Sequence, residues 1–442
     1  MINKFYFVGF GAVAHALIET FNLDKKKYLN IPIVIIEPRE ISHPELLEGR
    51  KFVHIKKAIT NSNYKILLKD IDENTLIIDL SVEVDSIMVL KFCKDKGAYY
   101  INTSVENWEE FHDPTRSNKL SDNYDDFKHN TLYHRELMVD NLLKNTKKTR
   151  VVNMGFNPGA INEYAKLGLK KYGQLRNKKL INGNYAKLAF DLGLKSVHIV
   201  EYDSQKSNIK KKDIDKDTFY NSWSSKGFQS EAADYVMMSV SNEDKNKYDN
   251  LIKPTDGLKN THIRFLPIRG MDLMDESITL DDKGKPFKYE GYLIPHAEIF
   301  SMSRFFEYNG NAPTIYYIYR PCDVAIDSLK RFKKNNYIPL KNDYVLQLDD
   351  IINGFDSIGA LLTFEDGYKY WAGSVCNVDN VKKLGYKYAT PTTVQVAGSL
   401  YATIQFIFLN PNFGFNEPET LPSEFLFNHF KKYMGKSYFK LI

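Results

Sequence analysis

Cysteine is scarce. Cys93, Cys322 and Cys376 are the whole complement of 442 residues, far apart and without metal-ligand spacing. So sparse and odd a set argues against a disulfide scaffold and suits a reducing compartment, the cytoplasm. No metal site is expected. Long apolar runs are missing too: none approaches the roughly 20 residues of a membrane helix, and the first residues read as a strand rather than a signal-peptide pattern. Charge of one sign is not concentrated. The formal net charge is +5, and the densest basic run, Lys210-Lys211-Lys212, meets Asp213 and Asp215 at once. That is the pattern of a solvated loop, not of a nucleic-acid footprint. Aromatic residues, by contrast, make up 14% of the chain, within 43% hydrophobic residues, enough for the large cores of two or three domains.

The first 155 residues alternate strand and helix patterns. Ile31–Ile36 (IPIVII) is a continuous apolar run, as in a strand covered on both faces. Further strands are expected at Lys51–Ile55, Leu76–Leu80, Ala98–Ile101 and Arg150–Met154, with helices over Asp85–Lys96 and Thr131–Lys144. This predicts a doubly wound parallel sheet of the Rossmann type over 1–155. Beyond Gly159, strands such as Ser196–Tyr202 (SVHIVEY) and Thr314–Tyr319 (TIYYIY) alternate polar and apolar residues. Mixed or antiparallel pairing with one open face is expected there, in a larger α+β domain over 156–442 that carries the substrate site. An apolar helix near Thr393–Leu409 is a candidate to pack back on the first domain.

The run Phe7-Val8-Gly9-Phe10-Gly11-Ala12-Val13-Ala14 follows a strand and opens a helix. Gly9 can make the tight turn, Gly11 admits a pyrophosphate to the backbone, and Ala14 permits close helix–strand packing. Ala12 and Val13 then begin a helix whose free N–H groups attract an anion. Glu37, ending the second strand in IIEPRE, can accept from ribose hydroxyls and repel a 2′-phosphate, which favours NAD over NADP. Arg39 is the counter-argument, since a guanidinium can pair with that phosphate. Leu80, Ser81 and Thr103 stand at strand carboxyl ends that either line a cofactor or simply turn the chain.

In the second half, acids stand beside aromatic and special-turn residues. Asn157-Pro158-Gly159 either turns the chain or points an amide into the crevice. Glu201 closes SVHIVEY, with Asp203 and Gln205 beyond it. Trp223 (YNSWSSKGF), read alone, is either packing or ligand contact, and Glu231 follows in QSEA. His296 and Glu298 lie in IPHAEIF, where Pro295 marks the first helical position. Glu298 is then either a helix-dipole complement beside a surface histidine or part of a crevice. Asp356 in NGFDSIG is equally open.

The glycine turn, EPRE, DLS, NTSVENW, FNPG, VHIVEYDSQ, NSWSSKGFQSE, IPHAEIF, YRPCDVAIDSL and GFDSIGALL, in this order, resemble the bacterial homospermidine synthases of the saccharopine-dehydrogenase-like group. The likeness runs from about residue 5 to 415. It implies an NAD-dependent homodimer that makes homospermidine from putrescine, or from spermidine and putrescine, with NAD as a recycled prosthetic group. It makes Trp223 the tryptophan that attracts a substrate amine. Asn157, Glu201, Glu231, His296, Glu298 and Asp356 would line the pocket, with Glu106 nearer its other end. Glu37 where Asp is commoner, and Pro295 and Ala297 around the histidine, depart from the pattern.

The chemistry fits the acids. A diamine carries two ammonium groups of pKa about 10.4, and desolvating either unpaired costs several kcal/mol. Carboxylates and an aromatic face answer that need. A saccharopine or carboxyspermidine dehydrogenase must instead hold a carboxylate, usually with Arg, and Arg304 and Arg320 keep that alternative open. A non-catalytic NAD-binding scaffold is the remaining one.

Overall fold

In the computed structural model, residues 2–108, 121–142, 146–248, 250–257 and 261–442 are described. The helix expected over 131–144 runs from Leu132 to Leu142; residues 143 and 144 lie outside the described part.

Seven parallel strands form the first sheet, in the order Phe415–Asn416, Arg150–Val151, Tyr99–Asn102, Thr75–Asp79, Lys4–Val8, Ile33–Ile36 and Phe52–Ile55. The central strands are apolar at successive positions because helices cover both faces, so alternation gives no advantage. From Lys4–Val8 the chain winds outward one way, then returns to Thr75–Asp79 and winds the other. The crevice at this reversal, at the strands' carboxyl ends, is where such sheets bind ligands. One strand comes from far outside the first 155 residues: Phe415–Asn416 pairs with Arg150–Val151.

The second sheet has nine strands and is mixed. Its path runs Ile263–Arg269, Tyr235–Ser239, Thr314–Arg320, Leu194–Asp203, Phe355–Phe364, Lys369–Asn377 and Lys436–Leu441, and the hairpin Met274–Leu280/Pro286–Ile294 joins at Thr314–Arg320. All pairs are antiparallel except Leu194–Asp203 with Thr314–Arg320. The open face expected from TIYYIY does not exist; every residue from Thr314 to Tyr319 is buried. The alternation there separates two buried faces, with Ile315, Tyr317 and Tyr319 in one core and Tyr316 and Ile318 in another. Helix Ala160–Leu175 covers one side of the neighbouring strands so closely that a Cβ on Gly168 would stand 2.6 Å from the Ala372 methyl. The hairpin covers the other, where the Thr279 and Ser357 hydroxyls meet at 2.9 Å.

Helix Pro391–Leu409 corrects the expectation about apolar runs. Its nineteen residues are long and apolar enough to cross a membrane, alone in this among the described helices, yet 78% of the apolar window is buried within the protein. It packs along the glycine-turn helix, Ala12–Leu23, and its hydrophobicity is that of a core helix.

Candidate active site

Gly9 has φ +81°, and a Cβ there would lie 3.0 Å from the Ser81 nitrogen and 3.1 Å from the Leu80 carbonyl. Only glycine fits where three strand ends converge. Gly11 caps helix Ala12–Leu23 with no side-chain bond and no acid in the first turn, and a Cβ on Gly11 would meet nothing within 4 Å. An open approach to an uncapped helix N-terminus, with Ala12 and Val13 in its first turn, fits a dinucleotide's pyrophosphate. Thr103 faces the elbow Gly155–Gly159, its Cβ 3.6 Å from where a Cβ on Gly155 would be, and Pro158 shares that elbow.

Glu37 follows its strand and is 4% exposed. Its Oε2 accepts the Phe10 N–H at 2.9 Å, and its Oε1 accepts the backbone N–H of Arg39 at 3.1 Å and Arg39 Nε at 2.8 Å. Burial opposes the charge, but these bonds prevail and hold the carboxyl below its usual range. Arg39 is thus turned onto Glu37 itself. Behind the crevice, burial pushes Asp79 up to about 7, against the bond it accepts from Tyr100.

The substrate side starts from the parallel pair of strands. Asn157 donates from Nδ2 to Glu201 Oε2 at 2.7 Å, and Tyr317 donates to the same oxygen at 2.6 Å. Burial raises the Glu201 carboxyl to about 7, those two bonds pull against it, and Asp203 adds to the rise. Register sets Asp356 directly opposite Asp203. Asp203 accepts from Ser222 at 2.5 Å and from the Gln205 amide at 3.0 Å. Asp356 accepts from Thr392 at 2.6 Å through Oδ2, while its Oδ1 is buried without a partner. Burial, with Glu201 and Asp203 beside it, pushes the Asp356 carboxyl well above its usual range.

His296 is not a surface residue. It is 6% exposed and caps helix Ala297–Phe305, which puts Glu298 in the first turn and Pro295 outside the helix. Its Nδ1 lies 2.7 Å from Glu298 Oε2 and its Nε2 3.7 Å from Glu231 Oε2. Burial works against a charged imidazole, but Glu298 and Glu231 outweigh it and raise its pKa well above the ordinary value. Glu231 is a quarter exposed, and its Oε2 is buried without a hydrogen-bond partner. Glu106, bonded to Ser104 at 2.6 Å, is raised by burial, lowered by Arg135 and within the field of Glu231 and His296.

Trp223 joins the acids through tyrosines. Its indole N–H donates to the Tyr319 hydroxyl at 3.0 Å, Tyr319 stacks on Tyr317 at 5.8 Å and 11°, and Tyr317 lies 4.7 Å from the His296 ring. The fold therefore gathers Asn157, Glu201, Trp223, Glu231, His296, Glu298 and Asp356 into one connected constellation, with Glu106 at its rim. Sequence reading gave no site role to Tyr317, Tyr319 or Thr392. The signal for the tyrosines was present: alternate positions of TIYYIY share one face. Thr392 had none beyond a helix-capping pattern, TPTT. Of the two arginines held open for a carboxylate ligand, Arg304 pairs with Glu417 and Arg320 with Asp323 at 2.9 Å.

The chain is similar to known proteins over nearly its whole length. Residues 5–154 match the family described as saccharopine dehydrogenase NADP binding domain, so the first sheet is an NAD(P)-binding domain. The homospermidine synthase of Mesorhizobium japonicum is 26% identical over 450 aligned residues, 94% of this chain and 85% of that protein. The one from Blastochloris viridis is 27% identical, covering 94% and 86%. The crystal structure of homospermidine synthase from Legionella pneumophila in complex with NAD superposes with a TM-score of 0.85 at 26% identity, covering 100% of this chain and 92% of that one.

Proposed function

We propose that this chain, a relative of the homospermidine synthases, transfers an aminobutyl group from putrescine or spermidine to putrescine, using NAD held at the Gly9–Val13 turn. What NAD supplies when bound is a reversible hydride acceptor, so oxidation of an amine to an imine and reduction of the exchanged imine cancel. The single observation that carries the reading is the constellation of buried carboxylates around an aromatic wall, with the neighbouring Arg304 and Arg320 already paired elsewhere. Such a site attracts cations and repels carboxylate substrates.

The residues divide the work by position. Asp356, with Asp203 and Glu201, receives one ammonium. Glu231, a quarter exposed, takes the proton that the other ammonium must lose before its nitrogen lone pair can assist hydride departure. His296, charged between Glu298 and Glu231, returns a proton as ammonia leaves and the second amine takes its place on the same carbon. Two putrescines thus become homospermidine and ammonia without net redox change. Trp223, held by Tyr319, faces the cationic iminium. Glu37, with Arg39 turned onto it, selects NAD over NADP. The three free, buried cysteines support a cytoplasmic assignment, and the homodimer is part of the same proposal.

Purified protein is incubated with putrescine and a catalytic amount of NAD, and products are read by mass spectrometry. Homospermidine and ammonia are expected. Stoichiometric consumption of NADH with a carboxylate co-substrate would point to a saccharopine- or carboxyspermidine-type dehydrogenase, and no turnover to a binding protein.

A further inference from the structure

The nucleotide helix and the substrate acids are joined by one short turn. Glu19, two helical turns beyond the glycine turn and 4% exposed, accepts three backbone N–H groups: Lys387 at 2.7 Å, Ala389 at 3.1 Å and Tyr388 at 3.3 Å. Its neighbour Thr20 meets the Tyr386 hydroxyl at 2.7 Å. Tyr388 stacks on His43, ring centroids 3.7 Å apart, and donates to Glu45. The backbone of 386–389 is therefore fastened to the first domain by a buried carboxylate, two phenols and a ring stack. One residue on, Thr390 caps helix Pro391–Leu409 and donates to the Ser222 carbonyl at 3.3 Å. Two further on, Thr392 donates to Asp356 Oδ2 and accepts from Gln205 Nε2 at 2.9 Å.

A buried carboxylate in the middle of a helix is an expensive way to close a turn unless its charge is used. Here all the N–H groups it receives lie within the segment that delivers Thr392. Asp356 faces Asp203 across the sheet and Glu201 on the same strand pair. Thr392 is the donor it meets, with like charge on its other sides. A shift of the turn by a fraction of an ångström would leave Asp356 without that donor and ill-suited to hold a cation.

We infer that Glu19 and Thr392 are positioning residues, linked through the 386–390 turn, by which the nucleotide-binding helix holds Asp356 in the state that receives a substrate ammonium. The inference rests on the functional reading above, and the two are separable by experiment. Binding of 1,4-diaminobutane to the NAD-loaded protein is measured by calorimetry in the wild type, Glu19→Gln, Thr392→Val, Thr392→Ser and the Glu19→Gln/Thr392→Val double variant. NAD affinity is measured alongside.

Glu19→Gln and Thr392→Val are expected to weaken diamine binding roughly tenfold, the scale of one buried bond to a charged group. NAD affinity should stay within about twofold, and Thr392→Ser, which keeps the hydroxyl, should match the wild type. The double variant should lose no more than the worse single one, since both act along one path. Unchanged diamine affinity in both single variants overturns the inference, as does strictly additive loss or an equal loss of NAD in Glu19→Gln. A wild type that binds the diamine but makes no homospermidine overturns the functional reading alone. A wild type that binds no diamine overturns both.

Discussion

The indole N–H of Trp223 donates to the phenol oxygen of Tyr319, 3.0 Å away. That bond fixes the plane of a ring that also packs against Phe228, at 5.6 Å and 48°, and passes its orientation to a strand whose tyrosines also serve Glu201 and His296. The aromatic wall and the acids are thus one structure.

Trp223→Phe keeps a ring face but loses the donor, so partial activity is expected. Trp223→Ala should lose most of it. A cation–aromatic contact is worth about 0.5–2 kcal/mol, which sets the gap between the two at roughly 2- to 30-fold in kcat/KM. Tyr319→Phe should resemble Trp223→Phe. Steady-state kinetics with putrescine checks the order; equal activity of all three with the wild type removes Trp223 from the site.

Glu231→Gln should lower kcat by roughly two orders of magnitude, the scale of general-base catalysis, while NAD binding, read by fluorescence titration, stays near wild type. Loss of NAD affinity instead would make Glu231 structural.

Glu201 has a folded pKa of about 7, above the ordinary carboxyl value of 4.5 from which it is shifted. The folded protein therefore holds a proton that the unfolded chain releases. That contribution to stability is complete below about pH 4.5 and is lost as pH rises through 7. Glu201→Gln removes the titration. Its melting temperature relative to wild type should climb between pH 5 and 8, toward a gain of up to about 3 kcal/mol, while its activity falls. Parallel melting curves across that range would contradict the assignment.

Glu37→Ala, with Arg39 released from its partner, should shift preference toward NADP by roughly tenfold or more, because a guanidinium then faces the 2′-phosphate without a competing carboxylate. Competitive titration of the two dinucleotides measures it.

The nucleotide-binding half was legible because its signals are local. Continuous apolar runs mark strands covered on both faces, and Gly9, Gly11 and Glu37 sit within one βαβ unit. The second half was legible in composition but not in arrangement. TIYYIY reads as a strand with one open face, whereas the hairpin and helix Ala160–Leu175 close both sides of the sheet around it. His296 and Pro295 read as a helix start with the histidine either at the surface or in a crevice; burial beside Glu298 and Glu231 decides against the surface. The Pro391–Leu409 helix is as apolar as a membrane span, and only its packing against Ala12–Leu23 identifies it as core.

Sequence alone determined that a dinucleotide turn opens the chain and that acids and aromatics recur after it, since turn chemistry and strand patterning depend on neighbours a few residues apart. The tertiary structure decided which acids meet and what charge they carry. Asn157, Glu201, Trp223, His296, Asp356 and Thr392 come together through strand register and a return of the chain, and their proton affinities follow from burial and mutual repulsion, which exist only once the fold has closed.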